Sequence, residues 1–230
     1  MSVMASARKV ASLAIVVVIV ACGGAAAPSL PPTSSTAVAT ASPTPSAAAG
    51  ALTFTVDSSS KATVRVREQL ARIPAPSDAV LTATGVTGTF ALNSDGTFAP
   101  SSKISVDLTT LASDQRQRDD FVKRDPLEVS KFPRAEFVPT RISGLALPLA
   151  SSGDFTVKLI GNMTIHGVTK EVTFDVTGNR AGSKLTATAT AQPTWKFGDF
   201  GMNPPSSAAV LSVVDEIKLE FSLVANETKA

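Results

Sequence analysis

One cysteine, one histidine, one tryptophan and no tyrosine occur in the 230 residues, and each shortage excludes a class of function. A single thiol, Cys22, cannot close an internal disulfide. A lone histidine, His166, has no second His, free Cys or spaced Asp/Glu cluster to join it, so neither a metal site nor a nucleophilic triad is expected. No cofactor is expected either, because Gly85-Val86-Thr87-Gly88 opens a strand rather than linking a strand to a phosphate-cradling helix. The aromatic girdles of a membrane-spanning barrel are missing. Charge is balanced, with 21 Lys and Arg against 19 Asp and Glu, which gives no basic surplus to recruit nucleic acid.

The N-terminus carries the compartment signal. Arg8 and Lys9 precede an apolar run from Val10 to Ala21, interrupted only by Ser12. That run is too short to cross a bilayer, which takes about 20 residues, and it suits the h-region of a signal peptide. Ile19-Val20-Ala21-Cys22-Gly23 resembles a bacterial lipobox. Residues 1–21 are therefore expected to be a lipoprotein signal, with Cys22 acylated and the protein held to a membrane outside the cytoplasm; an ordinary secretory signal with a chance Cys, or an uncleaved anchor, is the alternative. Residues 23–50 are mostly Ala, Pro, Ser and Thr without a charge, a composition expected to remain a disordered tether reaching roughly 30 Å.

Residues 51–225 are long enough for one domain with a real core, followed by a short tail at 226–230. Alternation at period two recurs throughout. It groups Leu52, Phe54 and Val56; Val64 and Val66; Val86, Phe90 and Leu92; Ile104, Val106 and Leu108. Later it groups Leu185, Ala187, Ala189 and Ala191, then Ile217, Leu219, Phe221 and Leu223. One wet and one apolar face, repeated about eight times with turns such as Asn93-Ser94-Asp95-Gly96, predicts an all-β antiparallel barrel or sandwich.

The strongest local pattern is Thr164-Ile165-His166-Gly167-Val168-Thr169-Lys170. A two-residue His166-Gly167 turn would pair Ile165 with Val168, Leu159 with Phe174 and Val157 with Val176, which puts both apolar faces on one side. His166 is then expected at a solvated tip. The one helical interruption is predicted over Ser113–Arg124, capped by Ser113 or Asp114 and lying over the barrel on Phe121 and Val122. Arg118-Asp119-Asp120 reads as its solvated face with local ion pairs.

A series of motifs runs along the domain: Phe54-Thr55-Val56-Asp57, Val86-Thr87-Gly88-Thr89-Phe90, Leu111 to Arg118-Asp119, and Val129-Ser130-Lys131-Phe132-Pro133 with Phe137. Gly161 to Lys170, Asp199-Phe200-Gly201 and Leu211 to Ile217 complete it. Taken in order, these motifs resemble the YceI-like family of secreted polyisoprenoid-binding proteins. The resemblance implies an eight-stranded, lipocalin-like antiparallel barrel with a helical flap, binding an isoprenoid, quinone-like or fatty chain without catalytic residues or metal. Two departures stand out: a long stretch Arg67–Thr84 where the family has a tight first hairpin, and Phe197 where it often has arginine.

The expected ligand wall follows from the alternation and the resemblance together. Phe54, Val64, Val66, Phe90, Val106 and Leu108 form its first half; Leu159, Phe174, Ala187, Ala189, Leu219 and Phe221 form its second. The alanines of the strand Leu185–Ala191 favour an interior left open, since filling it would call for large side chains. The competing arrangement has Phe90, Phe174 and Phe221 packed over them. The expected partners are thus an apolar lipid and a membrane, with homodimer formation open. The alternative function is a surface-displayed structural or protein-interaction module using the barrel as a scaffold, motivated by the long neutral tether and by Arg67–Thr84 read as an extended loop.

Overall fold

The computed structural model describes residues 50–228. Cys22, the signal-like run and the tether up to residue 49 lie outside the described residues, as do residues 229 and 230. Ten strands follow in chain order: β1 (Leu52–Val56), β2 (Lys61–Leu70), β3 (Ser77–Ala83), β4 (Gly85–Leu92) and β5 (Lys103–Asp107). Helix α1 (Arg116–Arg124) intervenes before β6 (Arg134–Ser143), β7 (Ser152–Ile165), β8 (Val168–Ala181), β9 (Lys184–Ala191) and β10 (Val210–Glu227).

These ten segments build an eight-stranded antiparallel barrel. β1, β4, β5, β6, β7, β8, β9 and β10 pair in that order, and β1 pairs back onto β10 through Phe54↔Glu227 and Val56↔Ala225. β2 continues β1 along the same edge of β10, with Val64 opposite Leu219 and Ala62 opposite Phe221. β3 continues into β4 across Thr84 and pairs with β2. Each continuation bends where the ladder is interrupted. At the first bend Ser60 Oγ donates to the Val224 carbonyl and accepts from its N–H, replacing the lost ladder bonds. Closure pairs β1 with β10, β3 keeps an outer edge that is bridged only at Thr82–Ala112, and alternating inward residues form the core.

The β7–β8 hairpin has the expected register: Ile165↔Val168, Leu159↔Phe174 and Val157↔Val176. His166 and Gly167 both sit at positive φ, 52° and 76°, as a two-residue hairpin turn of the primed type requires.

Two expectations are corrected. The Arg67–Thr84 stretch is not an extended loop but mostly a hairpin, in which only residues 71–76 leave the ladder. Its alternation continues through buried Glu68 on β2 and buried Ala79, Leu81 and Ala83 on β3, and Arg67 pairs with Asp78 at 3.0 Å. This removes the loop from the grounds for an interaction module. The helix begins at Arg116, and neither Ser113 nor Asp114 caps it. Ser113 instead donates its hydroxyl and its N–H to Asp119 Oδ1, at 2.6 and 2.8 Å, forming a tight turn that delays the helix.

Candidate functional site

The barrel interior has three levels. The upper level is an apolar cavity of about 330 Å³ between the β2–β3 hairpin, α1 and the 3-10 turn Phe197–Phe200. Six of the expected wall residues line it: Val64, Val66, Val106, Leu108, Leu219 and Phe221. α1 covers it with Phe121 and Val122, as its sparse apolar content implied. Trp195, Phe197, Phe200 and Met202 add a wall that the strand pattern did not reveal, because they belong to a non-periodic segment between β9 and β10.

Polar groups on that wall gather under the flap. Arg118 of α1 reaches in and its Nη2 donates to Glu68 Oε1 of β2 at 2.7 Å, with the two side chains 13% and 8% exposed. Arg118 is therefore not on a solvated helix face. It spans between a buried carboxylate and the exposed Asp114, which its Nη1 meets at 2.6 Å. Gln115 and Gln117 lie beside it on the cavity lining.

The middle level is filled. Phe174 meets three rings edge-on, Phe137, Phe221 and Trp195, with centroids 5.3, 5.7 and 6.0 Å away. Ala189, opposite Phe221 in the β9–β10 register, and Ala191, opposite Phe174 in β8–β9, back these rings. Neither Phe174 nor Ala189 reaches a cavity. At Ala189 the large neighbours occupy the space that small residues were expected to leave free. Gly161 completes this level, since a Cβ there would fall 2.7 Å from Phe137 Cζ and 2.4 Å from the Val138 carbonyl.

Below lies a second apolar cavity of about 80 Å³, and here the remaining expected residues, Phe54, Phe90, Leu159 and Ala187, are found. Phe54 and Phe90 stack with centroids 5.3 Å apart.

His166 is also placed differently from expectation. Its ring is 16% exposed rather than solvated, with Nε2 2.7 Å from Glu128 Oε2 and the ring edge-on to Phe132 at 4.7 Å. The hairpin tip is thus bound to the segment after α1. Nearby, the Asp199 carboxyl is held below the usual carboxylate range, first by the Lys170 ammonium and then by the Lys196 N–H. This secures the 3-10 turn carrying Phe197 and Phe200. Thr109 lowers Asp107 in the same way, through its hydroxyl and then its N–H. Among the described residues no group of three or more His, Cys, Asp or Glu is disposed to hold a metal. No helix among them is long and apolar enough to cross a membrane.

Residues 54–225, nearly the whole of this barrel, match the YceI-like domain. The chain belongs to the YceI-like family. A UPF0312 protein of Pseudomonas putida is 39% identical over 115 residues, which are 47% of this chain and 56% of the relative. One of Pseudomonas fluorescens is 36% identical over 128 residues, 50% of this chain and 63% of its own length. The chain thus spans little more than half the length of the curated relatives it matches. Among solved structures, a polyisoprenoid-binding domain of Saccharophagus degradans, implicated in plant cell wall breakdown, superposes with a TM-score of 0.58 at 12% identity. That match covers 77% of this chain and 99% of the other. BcnA of Burkholderia cenocepacia gives 0.55 at 19% identity, covering 74% and 99%. At such identities the agreement lies in the YceI-like fold.

Proposed function

We propose that this YceI-like protein is a lipoprotein anchored through acyl chains on Cys22, outside the cytoplasm, whose barrel takes up one apolar chain of isoprenoid, quinone-like or fatty type. The observation that carries the reading is the cavity of about 330 Å³ under α1, walled almost wholly by aliphatic and aromatic side chains. An apolar hollow of this kind is poorly hydrated when empty, and it gains about 0.8 kcal/mol for each CH2 moved into it from water. Glu68, Arg118, Gln115 and Gln117 supply hydrogen-bonding groups at one side of the cavity, where a polar head would lie. The polyisoprenoid-binding domain of Saccharophagus degradans shares the fold and supports the same ligand class. The role is holding or carrying a lipid, and the reading assigns no chemical step.

Native mass spectrometry and organic extraction of protein purified from its own host test the ligand. An apolar molecule bound one to one is expected. A purified protein that carries none, and takes up none when offered farnesol, refutes the reading. The anchor is tested by Cys22→Ser, expected to move the folded protein from the membrane fraction to the soluble one. Retention of that variant on membranes in high salt refutes acyl anchoring.

A further inference from the structure

The middle level of the barrel separates the two cavities. Val56, Val86, Phe137, Phe174, Ala189 and Ala191 face neither space, whereas on β5 and β10 the two linings meet directly, Ile104 next to Val106 and Leu223 next to Phe221. All six are buried. The layer is close-packed rather than loosely plugged: Phe174 is held edge-on by three rings, and the Phe137 ring lies where Gly161 has no side chain. A chain entering under α1 would have to displace Phe174 from among these rings to pass.

We propose that this layer is a chain-length stop, so that the ligand buried in the upper cavity is a short chain. The inference rests on the lipid-binding reading and adds the length of the lipid. An apolar cavity of about 150 Å³ holds one benzene ring, so about 330 Å³ holds on the order of a dozen carbon atoms. That corresponds to a farnesyl-sized chain. A longer prenyl chain fits the same length inside and leaves its remainder outside the mouth. Phe174 and Phe221 are the specificity-determining residues at the floor, and Ala62, opposite Phe221 in the β2–β10 register, sets the clearance just above it.

Trp195 is the only tryptophan and lines the upper cavity, so its emission reports occupancy directly. The test titrates geraniol, farnesol, geranylgeraniol and solanesol into the full chain carrying Cys22→Ser, which has no acyl chain of its own to compete. Native mass spectrometry gives the stoichiometry. Farnesol is expected to bind at least about tenfold more tightly than geraniol, because each buried methylene contributes roughly fourfold. Geranylgeraniol and solanesol should then stay within about threefold of farnesol, since their extra units stay outside the cavity. Phe174→Ala should open the floor and tighten geranylgeraniol by about tenfold or more. Ala62→Leu, whose added carbons enter empty space, should weaken farnesol by about tenfold while sparing geraniol. If Phe174→Ala fails to fold, Ala62→Leu alone decides the matter.

Affinity that keeps rising through solanesol in the unaltered barrel overturns the stop while leaving lipid binding intact. So does an Ala62→Leu protein that binds farnesol as before. No Trp195 response and no adduct with any of the four alcohols overturns both readings together.

Discussion

Replacing Arg118 by methionine should be costly, and the cost should be one-sided. Glu68 occupies an inward slot of β2, and among the described residues Arg118 is the one side chain that donates to its carboxylate, at 2.7 Å. Removing one member of a buried pair generally costs about 3–5 kcal/mol, because the other is left as an uncompensated charge. Here α1 can lift and let water reach Glu68, so the lower end applies, about 3 kcal/mol. Glu68→Met should cost only about 1 kcal/mol, since Arg118 keeps Asp114 and has a long stem that can turn towards water. With both replaced by methionine the wall becomes uniformly apolar, and stability should return to within about 1 kcal/mol of the parent. Urea unfolding followed by Trp195 emission measures the three values, and hydrogen exchange over residues 113–125 shows whether α1 opens first. Equal costs for the two single changes, or a larger one for Glu68→Met, would refute the reasoning. They would mean that Arg118 serves the exposed Asp114, where an ion pair contributes little.

Gly161→Ala puts a Cβ 2.4 Å from the immobile Val138 carbonyl and should destabilise by about 2–3 kcal/mol in denaturant melts. Ala189→Phe forces a ring into the filled middle level and should cost roughly 1–3 kcal/mol or more, without enlarging or closing the upper cavity. His166→Asn keeps a residue that tolerates positive φ but removes the contacts to Glu128 and Phe132, and should cost about 1 kcal/mol with faster exchange after α1. Acid should weaken the fold in a defined window. The Asp199 and Asp107 carboxyls are lower in the native state than their ordinary value of 3.8, so the native state binds fewer protons. Their contribution is complete above about pH 5 and is lost as pH falls further, so Asp199→Asn should show a smaller drop in Tm between about pH 5 and pH 3 than the parent.

The wall of the barrel could be read from period-two alternation, because inward and outward are local properties of a strand. The register of Leu159 with Phe174 was equally legible, since a two-residue turn leaves no freedom. β3 was hidden by Pro74, Pro76 and Asp78, which resemble loop residues although the ladder resumes at Ser77. Height along the barrel axis was not legible at all. Phe54, Val64 and Phe174 all point inward, yet they belong to the lower cavity, the upper cavity and the filled layer respectively. Height depends on the stagger between strands far apart in sequence, and alternation within one strand carries no record of it. For the same reason the alanines of β9 did not indicate space: whether a small residue leaves a hole depends on which ring stands opposite.

Two side chains read as solvated, Arg118 and His166, are bound to partners 50 and 38 residues away. Their own surroundings in sequence give no hint of this, because a charged helix and a hairpin tip are normally wet. For Arg118 the sign lay on the partner. In the inward series Ala62, Val64, Val66, Glu68, Leu70, one carboxylate stands among apolar residues. A charge in such a slot is sustained only by a donor brought in from elsewhere. The residues opposite Glu68 in the sheet are Ser77 of β3 and Val213 of β10, so neither neighbouring strand supplies a cation. The cation has to come from the element laid across the mouth, and α1 with its three arginines is that element. Glu68 therefore does more than pair with a flap residue. Together with Lys123 Nζ, which donates to the Thr109 carbonyl at 2.8 Å, and Val122 packed on the core, it ties α1 over the apolar cavity.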